Sequence, residues 1–553
     1  MALYLSAEQK NLKSLFANDN RYIIPSYQRH YSWTMEQCKQ LYDDVLDAFE
    51  GQVDSYFLGN IVLAEGEKDD QPEVVDGQQR LITLWLYLKA LHILMPFNNR
   101  LKRMIQVESY DDDSVDYVST ICSNVFEVKD QIQINSMLFN TQEDYEKVYV
   151  FYSSKNECSE FKSTPNQVES NGFAIYALLK DYFKRISDDT QKKFVDFFIG
   201  KVYLLPIVLK DDDLDVARSN ALMVFETINN RGMDLQDADI FKARLYQMSL
   251  TVGKGDDFID QWKKITFRCE ELELKIDDLF RYYYHIIRGK EGIIVAEKRL
   301  REFFQKDPKS PFKKGDYELV LNSLQNTLDA IEIYKNKSTE NTRLAAWIQI
   351  LDAYTNQNPV YAFVVYLYFH KASSDEELAC FLKKVLRYCY YKGSTMSVKF
   401  EIYNIIYKVA SGQNIDDYLV KNIDEWMWNS PGRLRKGLTL LAFYLKYPEL
   451  TAVQNYRVDK IIKSVDMIKL PLDWGISGKS EEFDSLGNSI VLDMPQRSSP
   501  VVQRYNSYSN SKLEEVRNLL KDDKDGFTYH LYDERIKRIS VILEDFFVKG
   551  IEQ

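Results

Sequence analysis

Val74-Val75-Asp76-Gly77-Gln78-Gln79-Arg80 is the stretch whose reading decides the fold. A short apolar run ends in Asp76-Gly77, and an apolar helical pattern (Leu81, Leu84, Trp85, Leu88, His92) follows at once. That order predicts strand, tight turn and helix, with carboxamide and guanidinium groups at the helix N-terminus. The first backbone N–H groups of a helix have no partner within it and carry partial positive charge, which suits them to anions. Gly77 lets the chain turn sharply and approach a ligand closely. Arg80 can hold a phosphate with two parallel hydrogen bonds, and the Gln78 and Gln79 amides can orient a base, a sugar or a water. Asp76 is suited to cap the helix or to hold a magnesium ion. A purely structural reading competes: Asp76 as the cap, with Gln78, Gln79 and Arg80 as a solvated first turn.

Toward the N-terminus, Tyr22-Ile23-Ile24 reads as a strand stopped by Pro25, and Pro25 to Trp33 as a polar and aromatic loop holding Gln28 and Arg29. Thr34 with Gln37 forms a capping-box pattern, and the helix it opens stops at Gly51. Ser6 with Gln9 gives a similar pattern, predicting a short helix through Leu15. Tyr56 to Leu63 is a buried strand by content, and Gly59 inside it suggests a close backbone approach, as to a ligand. Helix and strand thus alternate twice before the Asp76 turn, as in a small α/β core.

Toward the C-terminus, residues 106–118 and 153–171 break the periodicity and read as loops or insertions. Helical spacing resumes near Phe173 to Ile186, Lys201 to Leu209 looks like a strand, and Asp211 to Asp213 like a solvated turn. Val224 to Leu235 reads as a helix ending in an Asn/Gly turn, with a new helix capped near Asp234. That turn can present Asn229 and Arg231 to a shared pocket, or Asn230 and Gly232 can serve the turn alone. Residues 255–450 are almost wholly helical in pattern, with aromatic stripes that belong to a core. Beyond about residue 470 Gly, Ser, Asn and Pro rise, and a last helix runs from about Asp533 to Lys549.

A chain of 553 residues exceeds one core. The expected division is 1–250, 251–455 and 456–553. A net charge of −12 argues against a general grip on DNA, leaving only local basic patches. Gly432 to Lys436 and the group Lys383, Lys384, Arg387 and Lys392 are candidates, unless they are ordinary solvated helix faces. The six Cys include no C-x-x-C pair and the five His lie far apart, so no metal site is predicted from them. There is no apolar run able to span a bilayer and no signal-peptide plan, which predicts a cytoplasmic protein without membrane partners.

Four blocks carry a family resemblance: Ile24 to Arg29 with Tyr31-Ser32-Trp33, Phe57 to Val62, Asp76 to Leu81, and Phe225 to Gly232. In that order they resemble the GmrSD-type restriction endonucleases, whose N-terminal domain has a ParB/sulfiredoxin-like fold. The resemblance implies an α+β chain: a small ParB/sulfiredoxin-like mixed α/β N-terminal domain, a large all-α middle region and a small HNH-like C-terminal domain. It further implies a nucleotide-binding and hydrolysing domain in prokaryotic defence against phage, often against modified DNA, using a nucleoside triphosphate and Mg2+. On that footing Asp76, Gln79 and Arg80 are the catalytic candidates. Gln28, Arg29, Gly77, Gln78, Asn229 and Arg231 are the nucleotide-binding ones. The expected partners are a nucleotide, foreign or modified DNA, and a second nuclease-competent subunit or a second copy of the chain. The alternative is an adaptor that recognises a nucleotide or modified DNA for a partner nuclease without turnover.

The HNH-type domain of such proteins carries an E-H-I-x-P block, an L-G-N block and an N-x-x-[FY]-x-x-K-like tail. Here Asp466-Met467-Ile468-Lys469-Leu470-Pro471 and Leu486-Gly487-Asn488 fall at the first two, and Asn506, Asn510 and Lys512 near the third. Met467 or Ile468 stands where the family's His would be, and neither can activate water. The expectation is a degenerate nuclease domain. Asp466, Asp473, Asp484 and Asp493 are the carboxylates that could restore metal-dependent cleavage.

Overall fold

The computed structural model describes residues 5–17, 20–25, 27–66, 71–111, 114–125, 129–153, 167–229, 237–392, 396–424, 426–429, 431–452, 456–462, 484–493, 508–519 and 527–550. The fold is α+β, and the chain divides into two compact units. The first comprises residues 1–264 with 315–317, the second 265–314 with 318–553.

The first unit is built on a seven-stranded mixed sheet. Its strands are β1 (Leu5–Ala7), β2 (Lys10–Asn11), β3 (Tyr22–Ile24), β4 (Tyr56–Glu65), β5 (Glu73–Asp76), β8 (Ile121–Ser123) and β9 (Val202–Lys210). They lie in the order β1-β9-β4-β5-β3-β8, with β2 also against β9. β4 is the centre, parallel to β9 on one side and antiparallel to β5 on the other, and Ile61 to Ala64 on it are buried. The helices of this unit are α1 (Leu12–Leu15), α2 (Met35–Glu50), α3 (Gln78–Leu94), α4 (Asn99–Ile105), α5 (Lys129–Phe139), α6 (Gln142–Ser153), α7 (Gln167–Phe183), α8 (Asp188–Lys201), α9 (Leu214–Asn229) and α10 (Asp237–Leu250). α2 opens on the Thr34/Gln37 capping box, and its buried Cys38, Leu41, Tyr42 and Val45 recur at helical spacing. α3 is apolar on all sides and buried along nearly its whole length, as a helix enclosed by others must be.

Three expectations change. The short helix expected from Ser6 through Leu15 starts only at Leu12, capped by Asn11: Leu5–Ala7 is a strand paired with Ile207 to Leu209, and Lys10–Asn11 pairs with Tyr203 and Leu204. The two pieces break apart opposite Leu205 and Pro206, where proline has no N–H to give the ladder. Residues 106–118 are not a loop but most of an antiparallel hairpin, β6 (Gln106–Asp111) with β7 (Ser114–Ser119). Residues 167–171, expected irregular, open α7.

In the second unit the helices Ile276–Glu291, Asn358–Phe369 and Met396–Ala410 pack together, and a small ribbon pairs β10 (Arg457–Lys460) with β11 (Ser489–Leu492). Leu486-Gly487-Asn488 forms a 3-10 turn in which the Asn488 side chain bonds both the N–H (2.8 Å) and the C=O (3.0 Å) of Ile462. Asp466 to Pro471, with Met467 and Ile468, lies outside the described residues, as do Asp473 and Asn506. Asp484 is paired with Lys460, and Asp493 accepts from Ser511 Oγ at 2.5 Å and Lys512 N at 2.7 Å. The basic clusters are largely tied into the fold: Arg387 Nε donates to Phe546 O (3.0 Å), Lys384 to Ile415 O (3.1 Å) and Arg435 to Ser489 Oγ (3.2 Å). Among the described residues no helix is long and apolar enough to cross a membrane. The last helix, Tyr529–Glu544, starts earlier than expected and continues into a π turn, Asp545–Lys549.

His285 lies wholly buried against the Tyr361 ring (4.2 Å between centroids), and neither ring nitrogen has a hydrogen-bond partner. Burial, helped by Arg288, Lys399 and Arg281, pushes its pKa well below the ordinary value of 6.5. Below that pH the unfolded chain takes up a proton that the folded one refuses, so stability falls as pH drops. The expected loss through this group is about 1.4 kcal/mol per pH unit below 6.5. Urea denaturation from pH 7 to 5 should show a steeper decline in the wild type than in His285→Phe. Equal slopes would contradict this.

Candidate functional site

The β5–α3 turn is set by Gly77, whose φ of +92° is open to glycine and strained for other residues. Gly77, not Asp76, stands at the N-cap of α3, and no side chain caps that end. Asp76 is the last residue of β5, with its carboxylate on the Gly77 N–H and beside Arg80. Burial raises the Asp76 pKa, and Arg80, the Gly77 N–H and Arg29 only partly oppose it. Arg80 Nη1 donates to Asn60 O at 2.6 Å. Gly59 packs against that guanidinium, and its φ of +119° is what favours glycine there, since a Cβ would make only ordinary contact with Nη1 at 3.4 Å. The close approach expected at Gly59 is therefore to an arginine of the same chain.

The two glutamines hold the loop before α2. Gln79 Oε1 accepts from Ser32 N (2.7 Å) and Trp33 N (3.2 Å), and its Nε2 donates to His30 O (3.0 Å). Gln78 Nε2 donates to Arg29 O at 2.9 Å, while its Oε1 is buried without a partner. Gln28 Nε2 donates to Val75 O at 2.7 Å, and Trp33 O accepts from Asn171 (2.7 Å) and Gln167 (2.8 Å). Gln79→Ala strands two N–H groups and a C=O, and should lower stability by about 2–4 kcal/mol. Gln79→Glu keeps the acceptor and should lose about half as much. A Gln79→Ala loss under about 0.5 kcal/mol in urea denaturation would show that the loop is held otherwise.

These groups surround a cavity of about 150 Å³. Gln28, Arg29, Asp76, Gly77, Gln78, Gln79 and Arg80, all expected from sequence, line it. Asn229 is the final residue of α9, and Arg231 lies outside the described residues. Five further polar or aromatic residues line it, Tyr27, Trp33, Phe225, Asp239 and Lys242, and Val75, Leu222 and Ala243 complete the walls. Asp239 lies 3.5 Å from Arg29, and Lys242 Nζ donates to Gln28 O at 3.2 Å. Burial lowers the Lys242 pKa to about 8 although Asp239 pulls it up, and burial raises Asp239 against Arg29 and Lys242. Tyr27 stacks on Tyr246 (4.6 Å) with its hydroxyl buried and unpartnered. The legible trace of α10 was a charged pair three residues apart, Asp239 and Lys242, set among Ala238, Ile240, Phe241 and Ala243. Among the described residues no cluster of three or more His, Cys, Asp or Glu could hold a metal.

Residues 12–246 match the family model described as the GmrSD restriction endonuclease N-terminal domain. That match allies the region with restriction-type defence. An uncharacterized protein of Methanocaldococcus jannaschii, MJ0686, is 20% identical over 271 residues, 44% of this chain and 42% of that protein. The chain thus spans less than half the length of that curated relative.

Proposed function

We propose, from the match of residues 12–246 to a GmrSD restriction endonuclease N-terminal domain, that this chain is a nucleoside-triphosphate-hydrolysing sensor or regulatory subunit of a restriction-type defence system. The observation that carries the reading is convergence: Arg29, Arg80, Lys242 and the N-terminus of α3 border one cavity with two partly buried carboxylates, Asp76 and Asp239. Cations and a helix N-terminus in one small space suit a phosphate chain. The unpartnered Gln78 Oε1 and Tyr27 hydroxyl favour a polar ligand, because an apolar one would leave both unsatisfied.

Asp239 would be the carboxylate to meet a magnesium ion, which commonly takes one or two carboxylates with substrate phosphates and would neutralise phosphate charge, leaving Asp76 to act on water. The chain's own part is to bind and to move a proton. Arg29 and Arg80 hold the phosphates, and Lys242 adds charge. Asp76, made more basic by burial, accepts the proton of the water that adds to the terminal phosphorus as the bond to the diphosphate oxygen breaks. Gln79 positions the loop that carries Arg29 rather than touching substrate. With Met467 and Ile468 in the place of an HNH histidine, DNA cleavage falls to a partner subunit.

An adaptor that binds without turnover is the second reading, favoured by the pairing of each carboxylate with a cation. Incubation with each nucleoside triphosphate and magnesium separates the two. Phosphate release is the expected result, binding without release supports the adaptor, and neither would overturn the assignment.

A further inference from the structure

The second unit holds a larger cavity, about 350 Å³, whose residues have no part in the site above. One wall is a face of the helix Arg435–Lys446, with Ala442, Phe443 and Lys446 at helical spacing. The opposite wall is the helix Tyr529–Glu544, which contributes Leu531, Arg535, Arg538 and Ile542. The short helix Glu514–Asn518 adds Glu514 and Glu515. The volume is that of a pocket for a small organic molecule, and the lining is mixed, with Ala442, Phe443, Leu531 and Ile542 beside five charged side chains.

The charges are unevenly satisfied. Glu515 accepts from Lys446 Nζ (3.1 Å), the Tyr447 hydroxyl (3.3 Å) and Arg535. Arg535 also donates to Ser489 O at 2.7 Å, but its Nε is buried without a partner. Arg538 makes one bond, from Nε to Glu534 O (3.3 Å), which leaves its two Nη groups without partners among the described residues. Lys446 reports the local field. Although bonded to Glu515, its pKa is lowered to about 8, first by burial and then by Arg535 and Arg538. Three cations against two carboxylates, one of them already shared three ways, leave an excess of positive charge beside the apolar part of the cleft.

We infer that this cavity is a second ligand site for a small phosphate monoester, with its phosphate at Arg538 and Lys446 and an aromatic or aliphatic body against Phe443, Leu531 and Ile542. A free phosphate would leave the apolar walls wet, and a neutral apolar molecule would leave the exposed Arg538 guanidinium to water alone.

Calorimetric titration of the full chain with 1-naphthyl phosphate, inorganic phosphate and 1-naphthol tests it. Naphthyl phosphate should saturate one site, and each half alone should bind at least about tenfold more weakly. Arg538→Ala should weaken naphthyl phosphate at least about tenfold with the melting temperature unchanged, since that guanidinium supports only a bond within its own helix. Ile542→Trp, which fills the cleft, should remove binding, and Arg80→Ala should leave it intact. The inference is overturned by absent saturation, by binding that survives both Arg538→Ala and Ile542→Trp, or by binding lost in Arg80→Ala. The last result would place the probe in the cavity beside Asp76, whatever the fate of triphosphate turnover there.

Discussion

Arg80→Ala is expected to lower nucleoside-triphosphate turnover by about 100- to 1,000-fold, the usual consequence of removing a preorganised donor from a developing phosphate charge. The substitution does three separable things. It removes a guanidinium from the cavity, it takes from Asp76 the charge that most opposes the effect of burial, and it leaves Asn60 O without its 2.6 Å donor. The last effect is structural and should cost about 1–2 kcal/mol. Arg80→Lys separates the effects. A lysine keeps a positive charge near Asp76 and can reach a single acceptor, but it cannot bond a phosphate with two prongs while also holding Asn60 O. Stability should therefore recover almost fully in Arg80→Lys, and turnover only in part. The pH profile adds a second readout. Asp76 must be ionised to accept a proton, so turnover rises with pH through its pKa, which burial already places above 3.8. Without Arg80 that pKa rises further, and the acid limb of the Arg80→Ala profile moves to higher pH. Turnover in Arg80→Ala within about threefold of the wild type would remove Arg80 from the machinery. Equal unfolding of both variants would assign it to the fold alone.

How much of this was legible depends on where each cause resides. The strand–turn–helix at Asp76 could be read because its causes are local: a glycine at a turn, then an apolar run too long for a strand. The Thr34/Gln37 box could be read for the same reason. Leu5–Ala7 could not, because what makes it a strand is the free edge of β9, far along the chain, while its own residues match a helix start. The β6–β7 ribbon stayed hidden because its polar residues lack the alternation that a buried face imposes. In the site, residue types marked the right turn but not their duties. A glutamine in the first turn of a helix looks the same in sequence whether its amide meets a ligand or a loop. Gln79 meets the loop, whereas the Gln78 Oε1 is still unpartnered. Asp239 and Lys242 escaped notice because the fold, not sequence proximity, brings α10 to the β5–α3 turn.

Gly77→Ala should cost about 2–5 kcal/mol of stability, the largest loss expected from any single methyl group in this site, and two causes contribute. A residue with a Cβ held in the left-handed region loses about 1–2 kcal/mol, and Gly77 sits at φ +92°. The new methyl would also lie 2.5 Å from Ile61 Cγ2 and 3.2 Å from its Cβ. Ile61 is fully buried on β4 and cannot give way, so overpacking adds about 1–3 kcal/mol. A double-mutant cycle with Ile61→Ala divides the two. That change alone empties a core position at about 2–5 kcal/mol, but it removes the Cγ2 that the new methyl strikes. The pair should therefore be less damaging than the sum by about 1–3 kcal/mol, with the backbone share left over. Strict additivity would assign the whole loss to the backbone. Because Asp76 leans on the Gly77 N–H and Gln78 and Arg80 follow within one turn, nucleotide affinity should fall along with stability. A stable Gly77→Ala protein, losing less than about 1 kcal/mol, would mean that the turn has another conformation open to it. The α3 N-terminus would then not be fixed at the cavity, and the convergence on which the phosphate reading rests would be an accident of one arrangement.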